Sequence, residues 1–461
     1  MLRPAGAGKC GIEIVAAQPP NFAPPTEAPR FAGTAGVGQG GPVETSGTDS
    51  VNDPETPPRP DAEAAPKTAR RRQLPAAVET ALGPVTRTGR FYAGAWRHYL
   101  GSGESELPVA RPTVALLGQA LRDEIVLTGL RTQRPLSRPR AFQRIDAEVH
   151  AALDFYGAKG WLDNPEGFFA APPQLSDIEF HKVKGRGRSY QRFVFDSGYQ
   201  LEPGAPGAER WESYTSNAKV YGLLLRHDEP RPWLVCVHGA EMGRAGIDMA
   251  LFRARHLHED FGLNVILPVN PLHGPRAKDL PKGKAIPGEE VLDDVHFAGQ
   301  AVWDVRRLLS WIRSQEPAAP IGLNAISLGG YVSSLVASVD PRLTCAILGV
   351  PVADLVGLLG RHAGFRPDDP RSKTLEAARP LAAMVSPLSM QPKVPMAGRF
   401  IYGGVADRVV HPRDQVVRLW EHWGKPEIVW YRGGHTGFFT ARPVQKFVDA
   451  ALVQSGLVGK R

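Results

Sequence analysis

From residue 186 onward, short apolar runs alternate with stretches in which apolar residues recur every three or four positions. The runs are too short for helices and predict strands at Arg192–Phe195, Val220–Leu225, Trp233–Val237, Val265–Leu267, Ile321–Ile326, Cys345–Leu348, Phe400–Tyr402 and Ile428–Trp430. Between them, Val302, Val305, Leu309 and Ile312 share one helical face. Leu328, Tyr331, Val332, Leu335, Val336 and Val339 define another, which stops at Asp340-Pro341, and a further helix is expected around Ala250 to Leu257. Apolar strands separated by helices predict an α/β architecture, a mostly parallel sheet covered on both faces. Ligands then belong at the carboxyl ends of its strands.

The chain before this region reads differently. Between residues 75 and 185 the pattern is helical: Val114, Leu117, Leu121 and Ile125 recur on one face, and Phe142, Ile145, Val149 and Leu153 repeat the spacing. These helices are expected to pack on the main domain. The alternative is weak membrane-surface contact through Val78 to Leu100, where Phe91, Tyr92, Trp96 and Tyr99 accompany Arg87, Arg90 and Arg97. Residues 1–74 are rich in Pro, Gly, Ala and Thr without any sustained period, and predict a disordered tail. Three segments result: the tail at 1–74, a helical region at 75–185 and an α/β domain at 186–461.

Composition narrows the function classes. The 461 residues, 42% hydrophobic and 22% charged, suffice for a large core of ordinary soluble type. The net charge of +8 comes mostly from scattered arginines, apart from Arg70-Arg71-Arg72 and a lysine-rich loop near 278–284. Without interleaved aromatic and basic residues, a nucleic acid partner is not expected. Cys10, Cys236 and Cys345 are widely spaced, two of them in predicted strands, so buried free thiols in a reducing compartment are expected. No run approaches the roughly 20 apolar residues that span a bilayer. Together these predict a cytoplasmic protein. No cluster has zinc-ligand spacing and no glycine loop resembles a phosphate cradle, so neither a metal nor a cofactor is expected.

The most specific chemical signal is Ala325-Ile326-Ser327-Leu328-Gly329-Gly330. A predicted strand leads into Ser327 and a predicted helix leads out, the layout of a nucleophile elbow. The usual pattern has glycine two positions before and after the serine, and Ala325 adds one methyl to it. The simpler alternative is that Ser327 only caps the helix. A serine nucleophile needs a base and an orienting acid, and two later strand ends supply them. Phe400–Tyr402 runs into Gly403-Gly404-Val405-Ala406-Asp407, and Ile428 to Tyr431 runs into Arg432-Gly433-Gly434-His435. Asp414, after His411-Pro412, is a weaker candidate acid because it more simply begins a helix. His273 is the rival base, while His296 and His411 read as surface or supporting residues.

The order Ser327, Asp407, His435, together with His238-Gly239 after an early strand, resembles the α/β-hydrolase superfamily over residues 186–461. The resemblance implies a serine hydrolase in which backbone N–H groups of Ala240 and Leu328 form the oxyanion hole, with Glu241 as the alternative upstream donor. It also makes residues 351–395 a lid. The lid's Leu355, Val356, Leu358, Leu359, Leu381, Met384 and Met390 suggest a small-molecule ester or thioester with an apolar acyl part. A peptidase or amidase on the same machinery, and a catalytically silent scaffold used for binding, are the alternatives. The loop Pro268 to Pro287, with Arg276, Lys278, Lys282 and Lys284, is expected to form a solvated rim.

Overall fold

The computed structural model describes residues 76–101, 110–133, 139–185, 188–366 and 368–459. The expected tail at 1–74 and Cys10 lie outside them. Helices α1 (Ala76–Leu100), α2 (Val114–Gln133) and α3 (Pro139–Ala158) precede the sheet. Strands β1 (Glu179–Gly185), β2 (Arg188–Asp196) and β3 (Lys219–Leu225) follow, with α4 (Ala208–Glu212) between the last two. Next come β4 (Trp233–Val237), α5 (Ala245–Leu251), β5 (Asn264–Pro268), α6 (Val291–Gln315), β6 (Ile321–Ile326), α7 (Leu328–Val339) and β7 (Cys345–Gly349). The chain continues through α8 (Leu355–Ala363), α9 (Pro370–Ala377), α10 (Arg379–Met384), β8 (Arg399–Gly404), α11 (Arg418–His422), β9 (Glu427–Tyr431) and α12 (Arg442–Gln454).

The nine strands form one sheet in the order β1-β2-β3-β5-β4-β6-β7-β8-β9. Pairing is antiparallel from β1 to β5 and parallel from β5 through β9. The mostly parallel sheet expected from the unbroken apolar runs is therefore present. β4, β5, β6 and β7 are buried along their whole lengths, which is why their sequences do not alternate. One core fills the face carrying α3, α6, α7 and α10; a second lies on the opposite face with α12. Cys236 and Cys345 are buried free thiols within that second core.

Several details depart from the sequence pattern. The sheet begins at β1, ahead of residue 186; this exposed edge strand carries no apolar run by which the sequence would show it. The helix expected around Ala250 to Leu257 is interrupted: α5 ends at Leu251, Arg253 turns to a positive φ of 51°, and a helical turn resumes over His256–Asp260. The largest correction concerns α2. Val114 and Ile125, read as its apolar face, are 82% and 57% exposed, whereas Asp123 and Glu124 are 1% and 2% exposed beside buried Leu116, Ala120 and Leu127. Apolar periodicity missed this face because its central residues are acids with partners elsewhere in the fold. Arg87, one of three arginines that the alternative reading set against a membrane surface, bonds Glu124 Oε2 (2.5 Å) and Thr128 Oγ1 (2.9 Å) of α2.

The basic loop is also partly internal. Arg276 is fully buried, pairs with Asp304 at 2.9 Å, and donates to the carbonyls of Val269 and Asn217. Burial opposes both charges, lowering the Arg276 pKa and raising that of Asp304, so each depends on the other. His296, expected at the surface or in a supporting place, is likewise fully buried, with Nε2 bonded to the Pro206 carbonyl (3.0 Å). Replacing Asp304 by Ala should leave Arg276 as an uncompensated buried charge and cost about 3–5 kcal/mol. A guanidinium titration of folded wild type and variant would read this as a lower midpoint.

Candidate active site

Ser327 sits between β6 and α7 with φ 57° and ψ −116°, a left-handed conformation that is costly for a residue with a Cβ. Neighbouring contacts hold it there. Its N–H donates to the Gly349 carbonyl (2.8 Å), and its carbonyl accepts from Val352 N–H (3.2 Å) and Tyr331 N–H (3.2 Å). The turn also demands a bare backbone at Gly329, where a Cβ would lie 2.0 Å from the Val237 carbonyl oxygen. Ala325 is fully buried in β6, so its methyl is accommodated. The hydroxyl of Ser327 does not cap α7. It lies 3.1 Å from Nε2 of His435 instead.

The imidazole is fixed from its other side. His435 follows β9 and places Nδ1 2.7 Å from Asp407 Oδ2. Asp407 follows β8, is 1% exposed, and accepts on Oδ1 from the N–H groups of Val409 (2.9 Å) and Val410 (2.7 Å). The three residues named from chain order thus meet in one hydrogen-bonded line. The rivals lie elsewhere: Asp414 pairs with Arg361 (2.7 Å) and His411 (3.1 Å), while His273 is buried with its ring against His238, centroids 5.3 Å apart.

The loop after β4 approaches the serine closely. A Cβ on Gly239 would stand 3.2 Å from Ser327 Cβ, and Ala240, Glu241, Ser327 and Leu328 line one cleft. Buried His238 anchors this loop: Nδ1 meets the Gly239 carbonyl (2.7 Å), and Nε2 accepts from Asn270 N–H (3.0 Å). Burial, then the neighbouring His273, push the His238 pKa down to about 3, so it stays neutral in this role.

The cleft measures about 230 Å³. Leu358, Leu359 and His362 of α8 and Val352, Val409 and Val410 line it, and α2 contributes Leu127, Leu130 and Arg131. The segment 351–395 therefore reaches the cleft through Val352 and α8, while its Leu381 and Met384 enter the main core. His362 donates its role to structure, with Nε2 on the Val409 carbonyl (2.7 Å), and burial pushes its pKa down to about 4. Lys284, expected on the rim, is tied to Glu289 (2.5 Å) and Glu290 (3.0 Å). Among the described residues, no group of three or more His, Cys, Asp or Glu could hold a metal ion, and no helix is long and apolar enough to cross a membrane.

Sequence reasoning missed the contribution of α2. Asp123 accepts on Oδ2 from His435 N–H (2.6 Å) and Arg408 N–H (3.0 Å), and Glu124 meets the Arg408 guanidinium (3.0 Å). The available signal was a pair of adjacent acids within the helix, with Asp123 on the side opposite the apolar stripe.

A family model described as alpha/beta hydrolase domain containing 18 matches residues 213–354, from the end of α4 past β7 and including the elbow. With its sheet and elbow, the chain belongs to the α/β-hydrolase superfamily. An uncharacterized protein of Mycobacterium tuberculosis strain H37Rv is 62% identical over 387 residues, 84% of this chain and 94% of that protein. Its counterpart in strain CDC 1551 / Oshkosh is equally similar. Among solved structures, acetyl xylan esterase 1 from Thermoanaerobacterium sp. JW/SL YS485 is 16% identical with a TM-score of 0.45, over 65% of this chain and 93% of its own. An acetyl xylan esterase from Paenibacillus sp. R4 is 17% identical with a TM-score of 0.45, over 70% and 99%.

Burial opposes charging of His435, but the field and hydrogen bond of Asp407, and then the field of Asp123, hold its pKa above the usual 6.5. Following the His435 ring by NMR should therefore give a titration midpoint above 6.5. A midpoint at or below that value would remove this electrostatic account.

Proposed function

We propose that the protein is a serine hydrolase that cleaves a carboxylic ester or thioester with an apolar acyl part. The observation that carries this reading is the serine's hydroxyl, held out by a left-handed backbone and placed 3.1 Å from an imidazole that a buried carboxylate orients. Ser327 Oγ attacks the carbonyl carbon as His435 takes its proton. Asp407 keeps Nδ1 protonated and stabilises the imidazolium. The N–H groups of Leu328 and Ala240 receive the developing oxyanion, and α7 directs its positive end toward it. His435 then returns the proton to the leaving group. Water activated by the same imidazole releases the acyl group from Ser327.

Substrate preference follows from the cleft. Leu127, Leu130, Leu358 and Leu359 surround the approach to Ser327, which suits an aliphatic acyl chain of modest length. Ester turnover should thus exceed that of a matched anilide, and anilide turnover at the same rate would move the reading to an amidase.

The direct test is labelling of the purified full chain with a fluorophosphonate probe. Wild type should label, and Ser327→Ala should not; a folded wild type that never labels would support a silent binding scaffold. On a short-chain p-nitrophenyl ester, Ser327→Ala or His435→Ala should lower kcat by about 10⁴-fold or more. Leu358→Trp should fill the cleft and shift the preferred acyl chain to a shorter one, measured across esters of graded length.

A further inference from the structure

We propose that Asp123 is a positioning residue of the hydrolytic site: from helix α2 it locks the acid loop to the base loop and tunes how readily His435 takes a proton. The proposal rests on the assignment of Ser327, His435 and Asp407 made above. Asp407 and His435 stand on separate loops after the adjacent parallel strands β8 and β9. One oxygen bridges these loops. Asp123 Oδ2 accepts from the N–H of His435 itself and from that of Arg408, the residue next to Asp407. The bridge therefore acts on the backbone at both ends of the Asp407–His435 hydrogen bond.

The surroundings are shaped for this carboxylate. At Gly434, immediately before His435, a Cβ would lie 2.5 Å from Asp123 Oδ2, so a side chain there would displace the acid. The helix is fastened separately, since Glu124 bonds both Arg408 Nε (3.0 Å) and Arg87 Nε (2.5 Å), and the Arg408 guanidinium lies 5.1 Å from the Phe91 ring centre. Positioning of α2 thus does not depend on Asp123 alone, and Asp123 can be changed without releasing the helix.

The charged and titratable groups that act on Asp123 are few. Asp407 and His435 face it from the two loops, Arg408 presents its backbone N–H, and Tyr431 of β9 lies near with its hydroxyl on the Gly434 carbonyl (2.7 Å). On its own helix, Glu124 is engaged by the two arginines. Burial, then the charge of Asp407, push the Asp123 pKa from 3.8 up to about 6. Its Oδ1 is buried without a hydrogen-bond partner. A proton can therefore sit on Oδ1 while Oδ2 continues to accept both N–H groups. Protonation removes the charge and leaves the clamp in place. Ionised Asp123 favours the imidazolium that forms as Ser327 attacks; neutral Asp123 does not.

The test uses Asp123→Asn and Asp123→Ala in the full chain, with two readouts. The asparagine keeps an oxygen for both N–H groups and removes the charge, placing its amide nitrogen where the unpartnered Oδ1 stood, so the His435 NMR midpoint should fall by about one pH unit. The acidic limb of kcat on a p-nitrophenyl ester should move by the same amount, with thermal stability retained. The alanine also removes the clamp, and should lower kcat by a further factor of about ten with KM nearly constant. A His435 midpoint in Asp123→Asn equal to that of wild type, or a loss confined to KM in both variants, would overturn the proposal. Because the NMR midpoint needs no turnover, it still judges Asp123 if the wild type proves inactive, whereas the Ser327→Ala labelling experiment judges the hydrolase reading separately.

Discussion

Everything in the site depends on one close approach. Strand β6 and helix α7 meet at an angle that brings the backbone of Gly329 against the Val237 carbonyl of the neighbouring strand, at a separation that excludes even a methyl group. That approach forces Ser327 into its left-handed conformation and projects its hydroxyl away from the sheet. The conformation is costly by about 1–3 kcal/mol. It persists because β6 lies between β4 and β7, buried along its length, and because the Ser327 backbone is bonded to Gly349 and Val352. A serine on a surface loop could relax; this one has no room to do so.

The same architecture explains what could be read from the chain. Central parallel strands bury both faces, so Trp233–Val237 and Ile321–Ile326 announced themselves as apolar runs, and their limits coincide with β4 and β6. The acid and base were legible because each follows such a strand through a glycine-bearing loop. What escaped notice lies where burial is achieved by polar partners. The inner face of α2 is built around Asp123 and Glu124, and hydrophobic periodicity selected Val114 and Ile125 on another face. Arg276 was misplaced for the same reason: its partner Asp304 is far away in sequence, and charge alone suggested solvent.

The helical region ahead of the sheet is accordingly more than a covering layer. Leu127, Leu130 and Arg131 share a helix with Asp123 and Glu124, so one element both lines the approach to Ser327 and contacts the loops behind His435. A shift of α2 along its axis would alter the shape of the cleft and the placement of the imidazole together. Substrate fit and base geometry are mechanically linked by a single rigid helix.

The contact between Asp123 and His435 spans 312 residues of chain. On a ribosome adding roughly 5–20 residues per second, α2 leaves the exit tunnel long before the loops it touches are made. Its two acids must wait exposed or borrow temporary partners during that interval, and the nucleophile turn can form well ahead of its base. Completion of the site therefore follows the making of α2 and of the nucleophile turn, and is timed by synthesis of β9 and the loop after it.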